Sequence, residues 1–180
     1  MKRILAVAAV IALLVGCDSK PDAPFGLKWG QSMESVKKQL GSNIKCKEES
    51  SDYKYCTFYS FEGQVPFNDW IESGSLDFEG DGLSEIEYSF SASNPNYNEF
   101  RNKQTILFDK LKKELSFQKK QGIDETEFNE IIEKCESPYT CENIEKNFIT
   151  DVGLLTVIAK NESPSFTPTT TFIYKVNPSK

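Results

Sequence analysis

Polar and apolar positions alternate most clearly between residues 76 and 90. Leu76 and Phe78 share one face of a strand, and Ile86, Tyr88 and Phe90 share one face of a second. Gly80-Asp81-Gly82 between them reads as the turn of a hairpin. Two further strands are expected at 44–47 and 53–61, the second unusually aromatic from Tyr53 to Phe61, with a charged loop between them. Toward the C-terminus, a segment from Asn147 to Thr150 leads into a turn at Asp151-Val152-Gly153. The run Leu154 to Ala159 is apolar enough for a central strand, and Phe172, Tyr174 and Val176 alternate in a final one. Between these, the Ser, Thr and Pro residues of 162–171 predict a long loop. The stretch from Gly63 to Gly74, with Pro66, Phe67 and Trp70, has no period that decides between an edge strand and a packed loop.

Elsewhere the period lengthens to that of a helix. Ser32 is placed to cap a short helix with Met33, Val36 and Leu40 on one face, and Gly41 stops it. A long helix is expected from the cap Asn94 and Pro95, with Tyr97, Phe100, Leu107, Phe108, Leu111 and Leu115 along one side, to Gly122. Asp124 and Glu127 have the spacing of a capping box for another helix, in which Phe128, Ile131, Ile132 and Cys135 recur. These elements predict an α+β domain: a mostly antiparallel sheet packed against one long and one or two shorter helices.

The N-terminus has a different pattern. Lys2 and Arg3 precede an apolar run from Ile4 to Val15, which is too short to span a bilayer and fits a secretory signal. The run ends in Leu14-Val15-Gly16-Cys17, which resembles the lipobox of bacterial lipoproteins. The resemblance implies cleavage before Cys17, diacylation of its thiol and, usually, acylation of the new amino terminus. Two or three chains, at about 0.8 kcal/mol per buried methylene, hold a protein stably where one chain would be marginal. The competing reading is an ordinary cleaved signal in which Cys17 is incidental, but this leaves the cysteine and the polar stretch after it unexplained. The expected organisation is a signal peptide at 1–16, a lipid-anchored flexible tether at 17–24 and a single periplasmic domain at 25–180. Asp18 resembles the signal that retains lipoproteins at the inner membrane. The run from Trp29 to Gly41 resembles the strand-to-helix opening of small envelope lipoproteins, the BamE-like ones among them.

Loss of the signal takes the basic residues from 21 to 19 against 27 acidic ones, and the formal charge from −6 to −8. That balance argues against nucleic acid or anionic lipid as the main partner. Arg101, Lys103, Lys110, Lys112, Lys113, Lys119 and Lys120 put a basic side on the long helix, either a solvated face or one that meets lipid headgroups or an acidic partner. Besides Cys17 there are four cysteines, Cys46, Cys56, Cys135 and Cys141, which in an exported chain predict two disulfides. Of three connectivities, spacing favours Cys46 with Cys56 across neighbouring strands and Cys135 with Cys141 around a small loop. That loop would present Tyr139 on a stiff turn. A zinc site lacks its usual ligands, because the chain has no histidine and no Cys-x-x-Cys pair.

The absence of histidine also excludes a serine triad, a histidine-activated cysteine and the common zinc hydrolase sites. Asp77, Glu79, Asp81, Gly82 and Glu85 loosely imitate a calcium loop, but Tyr88 stands where the bidentate glutamate belongs and the flanks read as strands. There is no phosphate loop, dinucleotide fingerprint or nucleophile elbow, and no cofactor or metal is expected. These features predict a membrane-anchored, non-catalytic lipoprotein with a binding or accessory role at the cell envelope. Its partners would be the bilayer, through Cys17, and an envelope protein. The alternative is an inhibitor or immunity protein that blocks an exogenous hydrolase or toxin; an enzyme acting through Asp77 or Asp81 is a third.

Overall fold

The computed structural model describes residues 20–59, 71–91, 143–162 and 167–176, together with Asn102, Thr105, Asp109, Glu130, Glu133 and Lys134. A 3-10 turn, Pro24–Gly26, is followed by helix α1 (Met33–Leu40) and a second 3-10 turn, Gly41–Asn43. The strands are β1 (Lys45–Glu48), β2 (Tyr53–Tyr59), β3 (Ser73–Glu79), β4 (Gly82–Ser91), β5 (Ile144–Ile149), β6 (Leu154–Glu162) and β7 (Thr167–Lys175). They form one sheet in the order β1-β2-β3-β4-β7-β6-β5, antiparallel throughout. Two meanders, β1 to β4 and β5 to β7, therefore join through β4 and β7.

Alternation sorts the side chains onto two faces. One register runs across all the strands as Cys46, Cys56, Leu76, Ile86, Tyr174, Leu155 and Phe148. The next on the same face includes Phe58, Gly74, Tyr88, Phe172 and Val157. Tyr88 stacks on Phe172 with ring centroids 4.9 Å apart, and Phe25 meets its edge at 5.2 Å. This face is the core, completed by Leu27, Trp29, Met33, Val36 and Ile71. Burial of one such side chain contributes about 1.5–3 kcal/mol, more than an exposed ion pair such as Lys37–Glu34, worth at most about 1 kcal/mol. Apolar packing thus holds the sheet.

Helix α1 begins where the Ser32 hydroxyl accepts the Ser35 amide and ends at Gly41, whose φ of 69° suits a glycine. Met33 and Val36 turn inward against the core. The long helix and the one after it fall mostly outside the described residues, although Asn102, Thr105, Asp109, Glu130 and Glu133 are helical. Lys146, on the core-facing side of β5, ion-pairs with Glu130, which also takes Lys134 at 3.0 Å. This part of the connection between β4 and β5 therefore lies on the core side.

Several expectations need correction. Residues 167–171, expected within a long loop, belong to β7 and pair with β6 and β4. The threonines are β-branched and fit a pleated strand, and Pro168 pairs only with Asn161, beyond the span of β7 that meets β4. The central strands are β4 and β7, whereas β6, read as central, is next to the edge. Val176 lies beyond β7 and is 45% exposed. In β4, strict alternation would separate Leu83 from Ile86, yet both are buried. The register shift between Asp77 and Phe78 pairs Leu83 with Phe78 and Glu85 with Asp77, and this bulge at Ser84 returns Leu83 to the core face. The Ser84 hydroxyl donates to the Asp77 carbonyl at 3.1 Å.

Residues 20–24, expected as the end of the tether, join the folded body. Asp22 bridges Lys28, the Trp29 amide donates to the Pro21 carbonyl, and Ala23 and Pro24 are buried. The Trp29 indole donates to the Val152 carbonyl, which ties this arm to the β5–β6 turn. Gly30 and Gln31 exchange backbone hydrogen bonds with Leu83 at the start of β4.

Candidate functional site

The second face of the sheet follows from the same alternation. One register there runs Lys47, Tyr55, Asp77, Glu85, Lys175, Leu154 and Ile149. The next runs Lys45, Thr57, Ser75, Glu87, Ile173, Thr156 and Asn147, and a third runs from Tyr59 through Ser73, Ser89, Thr171 and Ile158 to Glu145. No residue of these three registers is buried, whereas the apolar positions facing the other way are almost all closed to solvent. The face divides in part by chemistry: β1 presents Lys45 and Lys47, β2 to β4 present tyrosines, hydroxyls and carboxylates, and β5 to β7 present Ile149, Leu154, Ile158 and Ile173 among Glu145, Asn147, Thr156, Thr171 and Lys175.

Carboxylates dominate the first half. Asp77 lies directly opposite Glu85, a pairing of like charges that costs stability, and Glu87 is two residues further along β4. Burial pushes the Asp77 carboxyl above its usual range, and the charge of Glu85 adds to this. Hydrogen bonds from the Tyr53 hydroxyl at 3.0 Å and the Ser75 hydroxyl at 3.3 Å work the other way. Glu87 is also raised, first by burial and then by Glu85 and Asp77. The bond to Asp77 in turn drives the Tyr53 phenol up to about 12. Lys175 reaches the Glu85 carboxylate at 2.7 Å, and this bond raises the lysine.

Of the cysteines, the structure joins Cys46 and Cys56, at directly opposed positions of β1 and β2, in a disulfide with the Cα atoms 3.9 Å apart. Cys56 is fully buried, so the bridge fastens the short edge strand to the core. Cys17, Cys135 and Cys141 lie outside the described residues, as do Tyr139 and the basic positions between Arg101 and Lys120. The acidic hairpin residues are dispersed: Asp77 and Glu85 meet on the open face, while Asp81 projects from the turn and pairs with Lys54 at 2.9 Å. Among the described residues no three carboxylates or cysteines converge as a metal site. A cavity of about 30 Å³ between Pro21, Trp29 and the Asp151–Gly153 turn has room for about one water.

The open face had one signal in the sequence. Tyr53, Tyr55 and Tyr59 alternate with Cys56 and Phe58 across the same strand, so period two already separated an exposed aromatic set from a buried one. The aliphatic half had none, because Leu154 and Ile158 look like core residues until β6 is placed in the sheet. Comparison of the chain with known protein families, curated proteins and solved structures gives no match.

Proposed function

We propose that the chain is a bacterial lipoprotein, anchored through acylated Cys17, whose domain has a non-catalytic binding role at the cell envelope. The observation that carries the binding role is the second face of the sheet, on which two registers crossing all seven strands and a third crossing six hold half-buried or exposed residues, an area broad enough for a protein partner, although Thr169 at one end of the face is buried. Support for the anchored reading comes from the Leu14-Val15-Gly16-Cys17 sequence and from where the folded body begins. Lys20 donates to the Gly30 carbonyl at 2.7 Å and Pro21 is paired to Trp29, so few residues separate Cys17 from the domain. At no more than about 3.4 Å per residue, the body would stand within roughly 10 Å of the acylated cysteine. The end nearest the bilayer carries the β1–β2, β3–β4 and β5–β6 turns. Asp18 favours retention at the inner membrane, with the domain in the periplasm.

Metabolic labelling of cells with a palmitate analogue tests the anchor. Label should enter the wild-type chain and be absent from Cys17→Ala; label in Cys17→Ala overturns the lipoprotein reading. In-cell crosslinking followed by detergent extraction tests the role. A resident envelope protein recovered with the wild-type chain supports an accessory function, and capture only after a foreign hydrolase or toxin is supplied would replace it with an inhibitor.

A further inference from the structure

We infer that the corner of the sheet at the β5–β6 turn rests in the headgroup region of the bilayer that holds the anchor, through Ile149, Val152 and Val176. The inference rests on the lipoprotein reading proposed above and deepens it by giving the domain an orientation. Three observations meet at this corner. The first is exposed apolar surface. Ile149 is 59% exposed and Val176 45%, the two most exposed of the large apolar side chains among the described residues. Register places Ile149 opposite Leu154, and Leu154 opposite Lys175, the residue before Val176. Val176 in turn lines one small cavity with Val152, Pro21 and Trp29. Apolar residues thus stand on both sides of the turn, where a single exposed aliphatic side chain would need no explanation.

The second is the state of the backbone. A turn that enters the headgroup and acyl boundary loses water from its carbonyls, which is costly for each one left without a donor. Here the Gly153 carbonyl accepts the Thr150 amide at 2.8 Å and the Thr150 hydroxyl at 2.7 Å. The Val152 carbonyl accepts the Trp29 indole, and the Pro21 carbonyl accepts the Trp29 amide at 2.9 Å. Three carbonyls at the corner are therefore satisfied from within the fold. The turn is also held in place: a Cβ on Gly153 would come within 2.4 Å of the Lys175 carbonyl oxygen and 3.3 Å of Trp29 Cζ2.

The third is the path of the chain. Pro21 lines the same cavity, so Cys17, four residues earlier, lies within roughly 14 Å of the corner. The other turns at this end are acidic, with Glu49, Asp52, Glu79 and Asp81 against Lys54. Charge near the β5–β6 turn is mixed: Lys28 pairs with Asp22 and Lys175 with Glu85, and Asp151 and Lys20 are also exposed. Apolar burial rather than net charge therefore selects this corner, and the bilayer is the apolar partner that the tether keeps within reach. The β5–β7 side tips toward the membrane and the side with the acidic turns away from it.

Photolabelling from the lipid side tests this on the full acylated chain. The chain is purified from membranes and reconstituted into phosphatidylcholine vesicles that contain a phosphatidylcholine with a diazirine near the ester end of one acyl chain. Floated vesicles are irradiated and the adducts mapped by mass spectrometry. Adducts should concentrate on residues 149–153 and Val176, at least about fivefold above the β1–β2 and β3–β4 turns. In Ile149→Ser/Val176→Ser they should fall by about three- to tenfold at 150–153, since roughly half of each of two aliphatic side chains is no longer there to bury. The urea midpoint of that variant shows that it still folds. Adducts spread evenly over the three turns, undiminished in the variant, or absent from the corner because a second copy or another protein covers it overturn the inference. Flotation reports separately on Cys17. A chain that floats without corner adducts refutes the contact alone, whereas a chain that fails to float refutes the anchor and the contact with it.

Discussion

Replacing Gly74 by alanine should destabilise the domain by about 2 kcal/mol. Gly74 lies in β3 between Phe58 on β2 and Tyr88 on β4, in the core-facing register. A Cβ added there would come within 2.3 Å of the Glu87 carbonyl oxygen and 2.3 Å of Phe58 Cζ, with Phe58 Cε1 at 2.9 Å. Ordinary carbon contacts are about 3.5–4.0 Å, so the two overlaps at 2.3 Å each exceed about 1 Å. The Phe58 ring, 1% exposed, is hemmed in by the core, and the Glu87 oxygen belongs to the backbone of a central strand. Over-packing of this kind costs about 1–3 kcal/mol, and two clashes, one with backbone, argue for the upper end. Against it stands a gain of about 0.4–1 kcal/mol, because alanine loses less freedom than glycine on folding. The net effect should appear in urea unfolding followed by tryptophan fluorescence as a midpoint lower by about 1 M with an unchanged slope. Phe58→Leu combined with Gly74→Ala removes the ring clash and leaves the carbonyl clash, so the pair should cost less than the sum of the single changes. A Gly74→Ala midpoint at or above that of wild type would refute the close packing of Phe58 over this glycine.

Three further outcomes follow from the site. Replacing both Cys46 and Cys56 by alanine releases a cross-link with a sequence separation of 10 and should lower the unfolding free energy by about 3 kcal/mol. A loss under about 0.5 kcal/mol in urea would mean that the bridge does not restrain the unfolded chain. Glu87 is held above its ordinary range in the folded state, so the fold binds its proton more tightly than the unfolded chain does. The stability it supplies is complete below its unfolded value and is lost as pH rises through the folded one. Glu87→Gln should therefore raise the urea midpoint more at about pH 8 than at about pH 4, and an equal shift at both would contradict the assignment. Tyr53→Phe removes a donor that stabilises the Asp77 carboxylate, and carboxyl-carbon NMR titration should find Asp77 shifted further upward; a downward shift would refute the hydrogen bond.

Much of the local structure was readable because its causes are local. The Ser32 cap, the stop at Gly41 and the Gly80–Asp81 turn each depend on residues a few positions apart. The Cys46–Cys56 pair was legible because a short charged loop can hardly do otherwise than return the chain beside itself. The extension of β6 and β7 was hidden by composition: Ser, Thr and Pro signal a loop unless a neighbouring strand is there to satisfy the backbone of 167–171. The face of Leu83 was not legible, because alternation carries no sign of a bulge, which arises only when β3 is laid beside β4.

The sequence by itself determined the first hairpin and its cross-bridged cysteines, the 76–90 hairpin and the acidic balance of the chain, though not the full extent of β6 and β7. Which face each strand turns to water was decided by tertiary structure. Period two separates the side chains of a strand into two sets, but it is indifferent to which set is covered and to which strand lies alongside. Only the pairing of β4 with β7 brings Asp77, Glu85 and Glu87 next to Lys175 and Ile173, and only the seating of α1 and the N-terminal arm decides which side becomes the core. Those contacts join residues far apart in the chain, so no local pattern encodes them.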